Sequence, residues 1–163
     1  MRIVILGPAG SGKSTLARRL GKKLDVPVVR LDDIWQPGWG TNDVPTFRTL
    51  VRTAHAGEAW ISDGNFAAAT FDIRLPRATL ILWLDCSRPM SAWRAFVRVF
   101  RPDSGHRLRH LPRVLRFIWN FDRINRPLIE RLRQEHGAKI PVRRLVNRRD
   151  VERFLDAPSR NLQ

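Results

Sequence analysis

A short apolar run, Arg2-Ile3-Val4-Ile5-Leu6, meets Gly7-Pro8-Ala9-Gly10-Ser11-Gly12-Lys13-Ser14-Thr15, after which leucines recur at positions 16, 20 and 24. No other stretch restricts the fold as strongly. The β-branched run reads as a buried parallel strand, and leucines at four-residue spacing read as the core face of a helix from about Lys13 to Leu24. The segment between them fits G-x-x-x-x-G-K-[ST], the P-loop pattern. Its glycines let backbone N–H groups turn inward and approach phosphate oxygens with no Cβ in the way. The following helix points its positive end at the same anion. Lys13 reaches toward β- and γ-phosphates, the Ser14 hydroxyl suits Mg²⁺, and Thr15 caps the helix or touches the α-phosphate. The whole segment, from Gly7 through Pro8, Ala9, Gly10, Ser11 and Gly12 to Thr15, is therefore expected to cradle a nucleoside triphosphate.

The rest of the chain alternates strands with helices. Strands are expected at Val26–Leu31, ending in Asp32-Asp33, and at Trp60–Asp63, Thr79–Asp85 and Pro141–Val146. Helices are expected over 45–57, over Phe66–Leu75 and from Pro89, well placed as a first-turn proline, to Phe100. Two more are expected, from near Leu111 to His136 with a break at Pro127, and over Arg149–Leu155. Ile34–Pro45, rich in Gly and Pro, reads as a loop. This alternation predicts an α/β fold, a three-layer α/β/α sandwich around a five-stranded parallel sheet. Ligands of such folds sit at the carboxyl ends of the strands, where Asp32, Asp63 and Asp85 fall. At 163 residues the chain has the length of one domain, with a lid-like insertion at 101–112.

One cysteine, Cys86, excludes an internal disulfide and a Cys-based zinc site. The longest apolar run, Leu80–Leu84, is far short of the ~20 residues that span a bilayer, and the N-terminus does not read as a signal peptide. A soluble cytoplasmic protein with no membrane partner is expected. Charge is uneven: 30 basic residues oppose 15 acidic ones, with net +3 on residues 1–86 and net +12 on residues 87–163. Such asymmetry suggests phosphate-bearing ligands or nucleic acid on the C-terminal half, or else a solvated basic face. No helix-turn-helix, zinc-finger or RNP pattern accompanies it.

A P-loop alone does not choose among kinases, GTPases and motor ATPases. No N-K-x-D guanine signature is present, and no apolar strand ends in Asp-Glu. A compact phosphotransferase of the nucleoside monophosphate kinase and shikimate kinase type remains. Gly7–Thr15 resembles the adenylate kinase form of the loop. Leu31-Asp32-Asp33-Ile34 with Pro37-Gly38-Trp39, Trp60-Ile61-Ser62-Asp63-Gly64-Asn65-Phe66, and the series Arg94, Arg98, Arg101 resemble the DNA topology modulation protein (FlaR-like) family, adenylate kinase-related P-loop proteins. That resemblance spans nearly the whole chain, more loosely after Arg101, and implies the P-loop kinase fold.

The expected activity is transfer of a phosphoryl group from ATP, with Mg²⁺, to a small-molecule acceptor. The other expectation is a nucleotide-dependent regulator that binds nucleic acid through the basic half. Asp32 is the candidate base or orienter, or a turn cap, with Asp33 as its runner-up. The resemblance implies that Asp63 holds a water on Mg²⁺; otherwise it braces the P-loop wall. Gly64 permits close approach to substrate, and Asn65 can donate to a phosphate or hydroxyl. Trp35 and Trp39 stack on the acceptor or pack their loop onto the sheet. Arg94, Arg98 and Arg101 share one helix face opposite Trp93, Phe96, Val97 and Phe100. Arg98 leads them in neutralising the transferring phosphoryl group. Trp60, Trp83 and Trp119 fall on core-facing patterns, while His106 and His110 read as surface residues.

Overall fold

The computed structural model describes residues 1–85 and 119–157, together with Pro89, Trp93, Val97 and Arg116. Five strands, β1 (Arg2–Leu6), β2 (Val28–Arg30), β3 (Trp60–Asp63), β4 (Leu80–Leu84) and β5 (Val142–Leu145), form one sheet in the order β2-β3-β1-β4-β5. All four pairings are parallel. The central strands β1, β3 and β4 are apolar and buried on both sides, as parallel strands under two helical layers must be.

Alternate side chains of each strand enter opposite cores. Ile3 and Ile5 join Ile61 and Leu82 against helices α1 (Lys13–Leu24) and α6 (Arg148–Asp156), which contribute Leu16, Leu20 and Phe154. Val4 and Leu6 join Trp60, Ile81 and Trp83 against helices α4 (Ala67–Arg74) and α5 (Arg126–Gly137), through Phe71 and Ile129. The three-layer sandwich expected from the alternation is the architecture found. A third, smaller core gathers Leu31, Phe47 and Val51 around the four-residue helix α2 (Leu31–Ile34) and helix α3 (Val44–Ala54).

The second strand stops at Arg30, shorter than expected. Leu31–Ile34 winds into a helical turn, closed by the Trp35 N–H on the Leu31 carbonyl at 2.9 Å. Asp32 and Asp33 fall in the first turn of that helix, where carboxylates favour the helical form. The expected loop to Pro45 contains a 3-10 turn at Thr41–Asp43, and α3 starts at Val44 with Pro45 in its first turn. Ahead of α5, Phe121–Asn125 form a π-helical turn. Such a turn shifts the phase of an apolar stripe: Phe121 is buried, while Trp119 is 62% exposed, against the core position expected for it. Trp93 and Val97 are helical, but Trp93 is 63% exposed, so the expected buried face is not built on it. Cys86, Phe96, Phe100, the arginines at 94, 98 and 101, His106, His110 and the insertion at 101–112 lie outside the described residues.

Among the described residues, no helix is long and apolar enough to cross a membrane. All strand carboxyl ends share one edge of the sheet. There β2 and β3 lie on one side of β1, and β4 and β5 on the other.

Candidate functional site

Gly7 leaves the end of β1 with φ +146°, a conformation that side chains rarely tolerate, and a Cβ there would lie 2.6 Å from the Leu84 carbonyl oxygen. The turn continues through Gly10 and Gly12, also at positive φ, and α1 begins at Lys13. The Lys13 ammonium folds back across this turn and donates to the carbonyls of Gly7 (2.9 Å) and Pro8 (2.8 Å). Its cation thus stands at the mouth of the loop, on the helix's positive end.

The turn after β3 braces the loop from the other side. Asn65 Oδ1 accepts from the Gly7 N–H at 3.2 Å, and Asn65 Nδ2 donates to the Gly7 carbonyl at 2.9 Å. This amide, expected to meet a phosphate or hydroxyl, is engaged on the P-loop backbone instead. Gly64, at φ +132°, lets the turn press on α2: a Cβ there would lie 3.1 Å from the Leu31 Cβ. Its close approach is therefore to Leu31.

Asp63 ends β3 beside Ile5 of β1 and Arg30 of β2. It is 4% exposed, and the Arg30 Nε lies 4.0 Å away. Asp32 opens to solvent at the same mouth. Partial burial raises its pKa, and the Asp63 carboxylate adds to this, while Lys13 and Arg30 oppose it. Lys13 and Asp63 thus both act on the Asp32 carboxylate at this mouth. Asp33 instead pairs with Arg30 Nη1 at 3.0 Å on the exposed side.

Trp35 packs edge-on to Trp39 (centroids 5.7 Å apart) and to Phe47 (5.1 Å), and lies 6.0 Å from Phe66. These rings dock α2 onto the small third core, leaving Trp35, Trp39 and Phe66 half-buried. Asp85, just after β4, accepts from Nη1 and Nη2 of Arg126, and Arg126 Nε donates to Asp122 at 2.9 Å. Of the arginines that charge the C-terminal half, Arg126, Arg133, Arg144, Arg148 and Arg153 each stand within 4 Å of a carboxylate. Among the described residues, no group of three or more His, Cys, Asp or Glu is arranged to hold a metal by itself.

Two residues with structural consequences for the site were missed in the sequence, Arg74 and His55. Ala67, Thr70, Phe71 and Arg74 follow the i, i+3, i+4, i+7 spacing of a buried helical stripe, and all four are buried. That spacing was the available signal, masked by the charge of its last member.

No family model matches the chain. It is 31% identical over 113 residues to a shikimate kinase of Corynebacterium diphtheriae, covering 61% of this chain and 65% of that protein. It is 35% identical over 54 residues to an adenylate kinase of Rickettsia akari, covering 33% of this chain and 20% of that protein. Less than two thirds of each curated relative is therefore spanned. The structure of a shikimate kinase from Acinetobacter baumannii in complex with shikimate superposes with a TM-score of 0.61 at 17% identity, covering 94% of this chain and 88% of the other. The fold is that of the P-loop kinases. Over the matched stretches the chain is homologous to shikimate and adenylate kinases.

Proposed function

We propose that the protein transfers the terminal phosphoryl group of ATP to a hydroxyl of a small-molecule acceptor bound beside α2. The observation that carries this reading is the convergence of Lys13, Asp32 and Asp63 at the mouth of the P-loop. Lys13 exchanges two neutral carbonyl partners for phosphate oxygens, a stronger, charge-assisted interaction. Asp32 accepts the acceptor's proton as its oxygen bonds to phosphorus and the bond from phosphorus to the β,γ-bridging oxygen breaks, releasing ADP. Its raised pKa brings it closer to operating pH than an ordinary carboxylate. Arg98, with Arg94 and Arg101, supplies the cations that spread the transferring charge.

Mg²⁺ fits the donor set. The Ser14 hydroxyl is in the first turn of α1, and the buried Asp63 carboxylate has no ion pair closer than 4.0 Å among the described residues. Both are the hard oxygen donors that the ion prefers. Bound with ATP, it would offset charge on the phosphates. Trp35, Trp39 and Asp33 border the acceptor space, and the half-exposed indole rings of Trp35 and Trp39 give it an apolar wall. The resemblance of the 31–39 and 60–66 segments to the topology modulation proteins is consistent with this reading but names no acceptor.

Calorimetry with Mg·ATP and an ADP-release screen over nucleosides, nucleoside monophosphates, sugars and hydroxy acids test the proposal. Lys13→Ala should abolish ATP binding. Asp32→Asn should keep binding and slow turnover about 100-fold or more. Parent-like binding and turnover in Lys13→Ala would refute the assignment.

A further inference from the structure

Arg74 is the one arginine described as completely buried, and its donors meet only neutral acceptors. Nε donates to Thr70 Oγ1 at 3.0 Å, and Nη1 to Ser62 Oγ at 2.9 Å and the Gly64 carbonyl at 3.0 Å. Nη2 donates to the Asn65 carbonyl at 2.5 Å. Its guanidinium carbon lies 5.3 Å from the centre of the Phe71 ring. Removing a guanidinium from water costs several kcal/mol, and an apolar side chain of similar volume commonly packs as well or better. The charge therefore calls for a reason other than filling the space.

The reason lies in what it holds. The two carbonyls belong to the turn in which Gly64 has φ +132° and Phe66 has φ +35°. For a phenylalanine the latter is strained, at a cost of ~1–3 kcal/mol unless its surroundings enforce it. The Asn65 side chain from this turn clasps both the N–H and the carbonyl of Gly7. The same Gly7 carbonyl accepts from Lys13. A continuous path thus runs from the Arg74 guanidinium through Asn65 and Gly7 to the P-loop lysine. Gly64 also abuts Leu31 at the head of the helix that carries Asp32.

We propose that Arg74 is a positioning residue for the nucleotide site: by fixing the carbonyls of Gly64 and Asn65, it holds the Asn65 clasp that sets the entrance of the P-loop. This rests on the nucleotide-binding reading above. Lysine cannot replace it, because one ammonium nitrogen cannot reach acceptors spread over a strand, a turn and a helix.

The test is Mg·ATP affinity, measured by calorimetry on the full chain, at a temperature where circular dichroism shows each variant folded. Arg74→Met and Asn65→Ala should each weaken binding tenfold or more, with Arg74→Lys weakened as well. Because both act through one clasp, the double variant should bind within about twofold of the weaker single. If either single variant binds within twofold of the parent, or the two losses multiply in the double, the proposal is overturned. Should Arg74→Met fail to fold, Arg74→Lys and Asn65→Ala decide: parent-like affinity in either overturns it. A parent that binds no ATP would instead refute the nucleotide reading itself, so the parent's own titration separates the two cases.

Discussion

Acidification should turn His55 against its own surroundings. The ring is 1% exposed and packs edge-on to Trp60 at 4.7 Å. Its Nδ1 lies 2.7 Å from the Val51 carbonyl, which can only accept, so Nδ1 carries the proton. Nε2 then accepts the Ser62 hydroxyl at 2.8 Å, and Ser62 Oγ in turn accepts from Arg74. The charged groups acting on the ring are Arg74 and Arg77, both cations. Burial first, and these cations second, pull its pKa from 6.5 to about 4, against the Val51 carbonyl that favours the protonated form.

The native pKa lies below the unfolded one, so between pH 6.5 and 4 the unfolded chain binds more protons. Stability therefore falls as pH falls through that window. From 6.5 to about 4, at ~1.4 kcal/mol per pH unit, the loss comes to ~3 kcal/mol, a large part of a small domain's total. Asp72, Glu130 and Glu152, whose pKa values are lowered by hydrogen bonds from arginines, shed their contributions only below the ordinary carboxylate range. Asp32, whose pKa is raised, acts in the opposite sense because its native form takes up the proton first, so the difference between the parent and a His55 variant, between about pH 4.5 and 6.5, isolates the histidine. Urea unfolding, followed by tryptophan fluorescence at pH 7, 6, 5 and 4.5, should show the decline in the parent and no decline in His55→Gln. A flat parent, or a variant with the parent's slope, would show that the ring is not held neutral by this site.

Two further substitutions probe the frame of the site. Gly7→Ala meets both a positive φ and the Leu84 carbonyl at 2.6 Å, so it should cost at least ~2 kcal/mol and lower the melting temperature by ~4 °C or more; a variant that melts with the parent would refute the fit. Asp72→Asn breaks the two-pronged bond with Arg48 (3.0 and 2.6 Å) that ties α3 to α4. Because the pair is partly exposed, urea titration should show a loss of ~0.5–1 kcal/mol at low salt that shrinks in 1 M salt.

What the sequence disclosed and what it hid divide along the distance between interacting residues. β1, the glycine turn and α1 were legible because the motif is contiguous and its chemistry is local. β3 kept its expected bounds, while the ends of β2, β4 and β5 shifted by one or two residues, as at Leu31, where two carboxylates favoured a helical turn over continued strand. Asn65 was recognised as part of the site, yet its partner Gly7 lies 58 residues away, and no local pattern reveals that the amide faces the loop. Arg74 sat on a readable helical stripe, but an arginine in a core is discounted unless its acceptors are known, and these come from a strand, a turn and its own helix. Trp119 was misplaced because the π-helical turn after it breaks the periodicity on which the expectation rested.

On the proposed function, the sheet order would separate phosphate recognition from acceptor choice. β1 lies between β3 and β4, so the P-loop it feeds is walled by two segments distant in sequence: the end of β4, whose Leu84 carbonyl forbids a side chain at Gly7, and the turn after β3, whose Asn65 holds the Gly7 peptide. Neither wall needs to know what the acceptor is. The groups proposed to border the acceptor space, Asp32, Trp35 and Trp39, belong to α2 and the loop after it, at the sheet's β2 edge. Trp35 and Trp39 pack on the small third core, which meets the site's frame through Phe66 and Leu31. A chain built this way can keep its nucleotide cradle while the edge beyond β2 diverges. Over partial stretches the chain is similar to two kinases named for different acceptors, shikimate and adenylate, as such a division would allow.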